Sequence, residues 1–152
     1  MSSNDLSQVR DYINTRMSVV EPTYQEWKGS LEDIGNIPKT LLDRSYHITL
    51  NPTTSTEQSD NFIQETQNVF ISVFKQGFTS SIEARDELMQ IANCIRLDII
   101  NFRNVEDYKA ANDGNIEKVV SIGITPNDID ATNDNIIKAT IEIDVVLFIA
   151  TT

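Results

Sequence analysis

The sequence predicts an α+β fold, a largely antiparallel sheet with two main helices packed on one face, and three observations carry that prediction. Two segments repeat apolar residues at helical spacing, four others have the apolar alternation or β-rich composition of strands, and they interleave as helix, strand, strand, helix, strand, strand. At 152 residues the chain has the size of one domain, 1–152, long enough to bury a core without disulfides or a structural metal.

The first helix, residues 6–20, sets Leu6, Val9, Ile13, Met17 and Val20 on one stripe and Arg10, Asp11 and Asn14 opposite, with Ser2 and Asp5 as a cap and Pro22 as a stop. From 21 to 44 the periodicity is lost. Trp27, Gly29, Gly35 and Pro38 punctuate a long connection, with one helical turn expected at 40–43. Residues 45–50 alternate Tyr46, Ile48 and Leu50 against His47 and Thr49, a short strand. Residues 51–61, NPTTSTEQSDN, hold no hydrophobic side chain and are expected to form a mobile loop. The second strand, 62–74, is apolar on both sides in its second half, where Val69, Ile71 and Val73 alternate with Phe70, Ser72 and Phe74.

The second helix opens on a capping box, Ser80 with Glu83, and runs through 80–101 with Ala84, Leu88, Ile91, Ile95 and Ile99 at helical spacing. An irregular stretch through Tyr108 leads to the turn signal Asp113-Gly114, and residues 116–124 are β-rich. The last strand, 136–150, places Ile137, Ala139, Ile141, Ile143, Val145, Leu147 and Ile149 on one face. Lys138, Thr140, Glu142, Asp144, Val146 and Phe148 fall on the other.

If the last two strands pair as a hairpin, Ile116 falls near Asp144 and residues 145–150 overhang, about 20 Å of backbone whose N–H and C=O groups must pair elsewhere. One reading pairs that overhang with the first or second strand of the same chain. The other covers Val146 and Phe148, apolar on the face that Glu142 and Asp144 mark as wet, with a neighbouring subunit, in an interface that includes Phe70 and Phe74.

Composition narrows the chemistry. A formal net charge of −11 argues against wrapping nucleic acid, whose affinity depends on neutralising phosphates. Cys94 is the single cysteine, which rules out an intrachain disulfide, fits folding in a reducing cytoplasm, and reads as a small buried hydrophobe within the second helix. The N-terminus lacks the apolar stretch of a secretory leader, and the longest apolar run, 145–150, is far short of a membrane span, so the chain is expected to be neither secreted by that route nor embedded. His47, the sole histidine, has no Ser or Cys motif around it and reads as structural. Asp128, Asp130, Asn133 and Asp134 look like a calcium loop, but the places that require Gly and Glu hold Asn133 and Ala139. The glycines are isolated, so no phosphate loop forms, and Glu32-Asp33 and Glu106-Asp107 are adjacent pairs in polar surroundings. No catalytic, cofactor-binding or metal-binding residue is nominated, and the chain reads as a non-enzyme.

The order of elements, with the phrases IPKTLLDRSYHITL and SSIEARDELMQIANCI, resembles the tail terminator proteins of long-tailed bacteriophages over nearly the whole chain. That resemblance implies a ring, usually of six subunits, that caps the finished tail tube and offers a joining surface to the head. Its implied partners are copies of itself, the tail tube protein and a neck, head-completion or connector protein. DNA would pass through the channel without specific binding, to which an acidic balance is suited. The implied location is the virion, after assembly in the host cytoplasm. Partner contacts are expected from Thr53, Thr54, Ser55, Glu57 and Asp60 in the first polar loop and Asp128, Asp130 and Asp134 in the second. Two alternatives stand beside it: another head-tail joining or head-completion protein, and, from a different class, a small cytosolic module that buries a ligand between helices and sheet.

Overall fold

The computed structural model describes residues 7–29, 42–59, 62–76, 82–127 and 136–150. In chain order these form α1 (Ser7–Val20), β1 (Gln25–Glu26), β2 (Ser45–Ser59), β3 (Phe62–Gln76), α2 (Ile82–Ile99), α3 (Phe102–Asn112), β4 (Ile116–Asn127) and β5 (Ile136–Ala150). The strands make one five-stranded sheet in the order β1-β2-β3-β5-β4. Every pairing is antiparallel except the two-residue parallel pair of β1 with β2, so the fold is α+β with a mixed sheet.

The core lies on one face of that sheet. Its odd-numbered β5 residues from Ile137 to Leu147 join Val69, Ile71 and Val73 of β3, Tyr46 and Ile48 of β2, and the inward stripes of the three helices. From α1 these are Val9, Tyr12, Ile13 and Met17, and from α2 Leu88, Ala92, Ile95 and Ile99, each at the three- and four-residue spacing that keeps one helix face inward. Tyr12 carries its hydroxyl into the core and donates to the Ile99 carbonyl at 2.6 Å. Its ring meets Tyr108 edge to face at 5.3 Å, and Tyr108 in turn donates to Asp11 at 2.5 Å. Burial pushes both hydroxyls well above the usual tyrosine range, so both act as neutral donors. A forked pair of bonds from Arg16 to Asp98, at 2.7 and 2.9 Å, fixes α1 along α2.

Four expectations are corrected. Residues 51–59 continue β2 rather than forming a loop: Thr53 to Glu57 pair with Gln67 to Ile63 of β3 beyond a bulge after Leu50. Backbone pairing and β-branched threonines hold this polar strand, so it has no need of an apolar face of its own. The stretch after Asn101 is a helix, not irregular. The Asn101 side chain accepts from the Arg103 and Asn104 amides at 3.0 and 3.3 Å, and the helix ends where Asp113 turns left-handed at φ 49°. A third correction concerns the β4–β5 register, which sets Ile116 opposite Leu147 rather than Asp144, so β4 covers three more residues of β5 than a simple hairpin count allows. Residues 145–150 pair with residues 62–67 of β3, which is the intrachain reading of the overhang. The last correction is at Cys94, which is exposed, one position off the buried Ile95 and turned out of the stripe. The capping residue Ser80, the connection 30–41 and the acidic positions Asp60, Asp128, Asp130 and Asp134 lie outside the described residues.

Candidate assembly interface

Pairing places side chains of directly opposed residues on the same face, which maps the sheet surface turned away from the helices. Phe70 opposes Glu142, Asn68 opposes Asp144, Gln64 opposes Phe148, and Val120 opposes Asp144 from the other side. Phe70, Phe148, Val120 and Phe62 on this face are 36, 38, 42 and 47 % exposed, and Ile122, in the β4 bulge beside them, is exposed as well. These side chains share one face but stand apart on it, with Gln64, Thr66 and Asn68 between Phe62 and Phe70 along β3.

Of the four interface positions expected from the sequence, Phe70 and Phe148 are exposed here, whereas Phe74 and Val146 are buried within the subunit. Val146 is a small side chain in a central strand, flanked across both neighbours by Thr66 and Lys118, whose stems can shade it. Phe148 lies past the last β4 pair, at Leu147, where its N–H donates to the Asn115 carbonyl at 3.0 Å and its side chain stays exposed. Phe74 belongs with Leu42 and Ile136 to a group of fully buried residues outside the main core, at the end of the sheet where β2 begins and β3 stops. Thr53, Thr54 and Ser55, expected as loop contacts, stand exposed along β2, and Glu57 lies on the same strand.

A polar ladder crosses the middle of the same face. Asn51 donates through Nδ2 to Asn68 Oδ1 at 2.7 Å, and Asn68 Nδ2 donates to Asp144 Oδ1 at 2.9 Å and to Glu142 Oε2 at 3.1 Å. One amide thus bridges two carboxylates, and among the described residues neither carboxylate forms an ion pair with a lysine or arginine. Sequence reading missed this arrangement because Asn68 and Asp144 are 76 positions apart. Nearer the β2 start, burial holds the Lys138 ammonium below the usual lysine range.

His47 serves the fold. Its Nε2 lies 3.1 Å from the Gly29 carbonyl, which can only accept, so Nε2 carries the proton and Nδ1 accepts from the Thr49 hydroxyl at 3.2 Å. Burial, the largest influence, lowers the pKa of the ring despite the opposing Gly29 bond, so the neutral form is the one that pins this segment to β2. The Trp27 ring closes on Gly29, where an added Cβ would come within 2.2 Å of it.

Among the described residues two clefts can be placed. One, of about 400 Å3, is lined by Thr23, Gln25, Glu26, Trp27, Asp43, Arg44 and Ser45 at the β1 edge. A shallower one of about 270 Å3 lies between Ile82, Arg85, Asp86, Met89 and Pro126. Neither lies between helices and sheet, where Ile13, Ile71, Ile95, Ile99, Ile141 and Ile143 are fully buried against one another. Among the described residues no group of three or more His, Cys, Asp or Glu is placed to hold a metal ion, and no helix is long and apolar enough to cross a membrane.

No family model and no curated protein matches the chain. Among solved structures it is similar to a chain of the virion of a native gene transfer agent particle, with a TM-score of 0.38 and 8 % sequence identity over 90 % of this chain and 91 % of that one.

Proposed function

We propose that this chain is a structural protein of a phage-like virion, a tail terminator whose copies form a ring on the completed tail tube and present the joining surface to the neck. The observation that carries the reading is the sheet face turned away from the described helices, where Phe62, Phe70, Val120 and Phe148 expose apolar area that a neighbour would remove from water. The exposed polar strand at Thr53, Thr54 and Ser55 supplies hydrogen-bonding groups suited to the tail tube protein or the connector. A net charge of −11 suits a ring through which DNA passes without adhering.

Native mass measurement of the purified chain, alone and with tail tubes, tests the proposal. A closed ring that binds tube ends, seen by electron microscopy, is the expected result. A monomer at every concentration and no binding to tubes would overturn it.

A further inference from the structure

We propose that the outer edge of β2 at Thr53–Glu57 is a docking site for an extended, basic segment of a neighbouring virion protein, which adds to the sheet as a further strand; this rests on the virion reading above but not on the ring. The sheet has two edges, and the chain treats them differently. β4, at one end of the order, pairs with β5 alone. Lys118, Pro126 and two bulges interrupt its outer side, the devices by which native edges refuse another strand. At the other end β1 covers only Ser45 and Tyr46 of β2. The segment after β1 reaches one step further, with Trp27 N–H donating to the Tyr46 carbonyl at 2.7 Å and the Gly29 carbonyl accepting from His47, and Arg10 approaches the Ile48 carbonyl at 3.5 Å. From Thr53 to Glu57, among the described residues, no backbone bond is made to the outer side. Five consecutive pairs with β3 hold this run in register, without a Lys, a Pro or a bulge inside it, and Thr53 to Thr56 are exposed. Alternate residues therefore turn N–H and C=O groups to water, a template for main-chain pairing.

The charge of the occupant follows from Glu65. β3 runs without a bulge against β5, so Glu65 lies on the same face as Val69, the face of the helices, opposite Ser55. Its Oε1 accepts from Ser55 Oγ at 2.7 Å, while Oε2 is buried without a hydrogen-bond partner. Among the described residues no lysine or arginine forms an ion pair with it. A carboxylate oxygen so placed lacks a donor that its burial demands. Ser55, a small side chain, is all that β2 places between Glu65 and the open edge. A strand added outside β2 sets one residue beside Ser55 on that face, about 10 Å from β3, and a lysine or arginine there extends over Ser55 to Glu65. The net charge of −11 favours the same kind of partner. The β4 edge of a second copy fits poorly, since its bulges and Pro126 break the ladder that Thr53–Glu57 offers.

Amide hydrogen exchange, read on the purified chain alone and bound to tail tubes or to neck complexes of the same particle, tests it. The outward amides of 53–57 are expected to exchange freely in the chain alone and to become protected in one of the two complexes. Adjacent residues point their N–H groups to opposite sides, so of Thr54→Pro and Ser55→Pro one breaks a bond to β3 and the other removes only an outward donor. The second is expected to keep the circular dichroism spectrum and to weaken the complex about tenfold. Glu65→Gln is expected to weaken the same complex and to flatten its dependence on salt. Protection already present in the chain alone would mean that a second copy occupies the edge. A complex that forms while the edge still exchanges freely, or that is indifferent to Glu65→Gln, would mean that no basic strand is added. Each of these results overturns this inference and leaves the virion reading in place, whereas a chain that binds neither tubes nor neck complexes overturns both.

Discussion

At His47 the structure converts a solitary titratable group into a pH dependence. Its pKa is lowered in the folded chain, chiefly by burial, from an ordinary value of about 6.5. Above that value the ring is neutral whether the chain is folded or not, and its contribution is complete. As pH falls below it, the unfolded chain takes up a proton that the folded chain resists, and stability declines until the folded ring also titrates. Urea midpoints measured from pH 7.5 to 5 should therefore fall in the parent, and the His47→Gln variant should fall less across that window. The same residue illustrates what could be read in advance. A lone histidine without a nucleophile beside it pointed to a structural role, but its partner Gly29 could not be named, because a carbonyl 18 positions away leaves no trace in composition.

The elements divide by how they are held. α1, α2, β3 and β5 were legible because each repeats apolar residues over several turns or pairs, and a long periodic signal survives local exceptions. α3 was not legible, since only Val105 and Tyr108 of its residues are buried and Phe102, at its start, faces water. Its cap does what the periodicity does not. Asn101→Ala should cost about 1 kcal/mol, by the loss of one side chain that satisfies two amides. A urea midpoint lowered with unchanged slope would show it; no change would mean that α3 is held by packing alone. The second half of β2 escaped for a different reason. Apolar content reports burial, and this strand is held by backbone bonds to β3 with the side chains of Pro52 to Thr56 exposed. The β4–β5 register also escaped, because β4 runs on to Asn127 and Ile124 opposes Ile141 rather than Ile136, an offset that the bulges between Ser121 and Gly123 and between Ile116 and Lys118 only partly take back.

For the whole molecule, the two faces of β5 should separate folding from assembly. Ile143 is fully buried at the centre of the sheet, between Val69 and Ser121. An aspartate there leaves a charge with no partner, and Ile143→Asp should cost more than about 4 kcal/mol and unfold the chain. Phe148→Asp should leave the circular dichroism spectrum of the subunit unchanged and remove the assembled species. If both variants unfold alike, the outer face is internal to the subunit. Phe70 and Phe148 could be nominated from the alternation of their strands, whereas Phe74 and Val146, on the same face, are covered by their own subunit. Alternation assigns a face to each residue, but whether that face is bare depends on what else in the chain comes to lie upon it.

The strand order β1-β2-β3-β5-β4 also sets a timetable. β5 is the last of the described strands to leave the ribosome, yet it sits between β3 and β4 and pairs with both. Until it arrives, the hairpin of β2 and β3 and the lone β4 each expose an apolar strand edge with nothing to pair with. The chain must keep these two halves apart and soluble during synthesis and join them in one late step. The net charge of −11 serves here, since like charges hold nascent neighbours from adding their strands to each other's open edges.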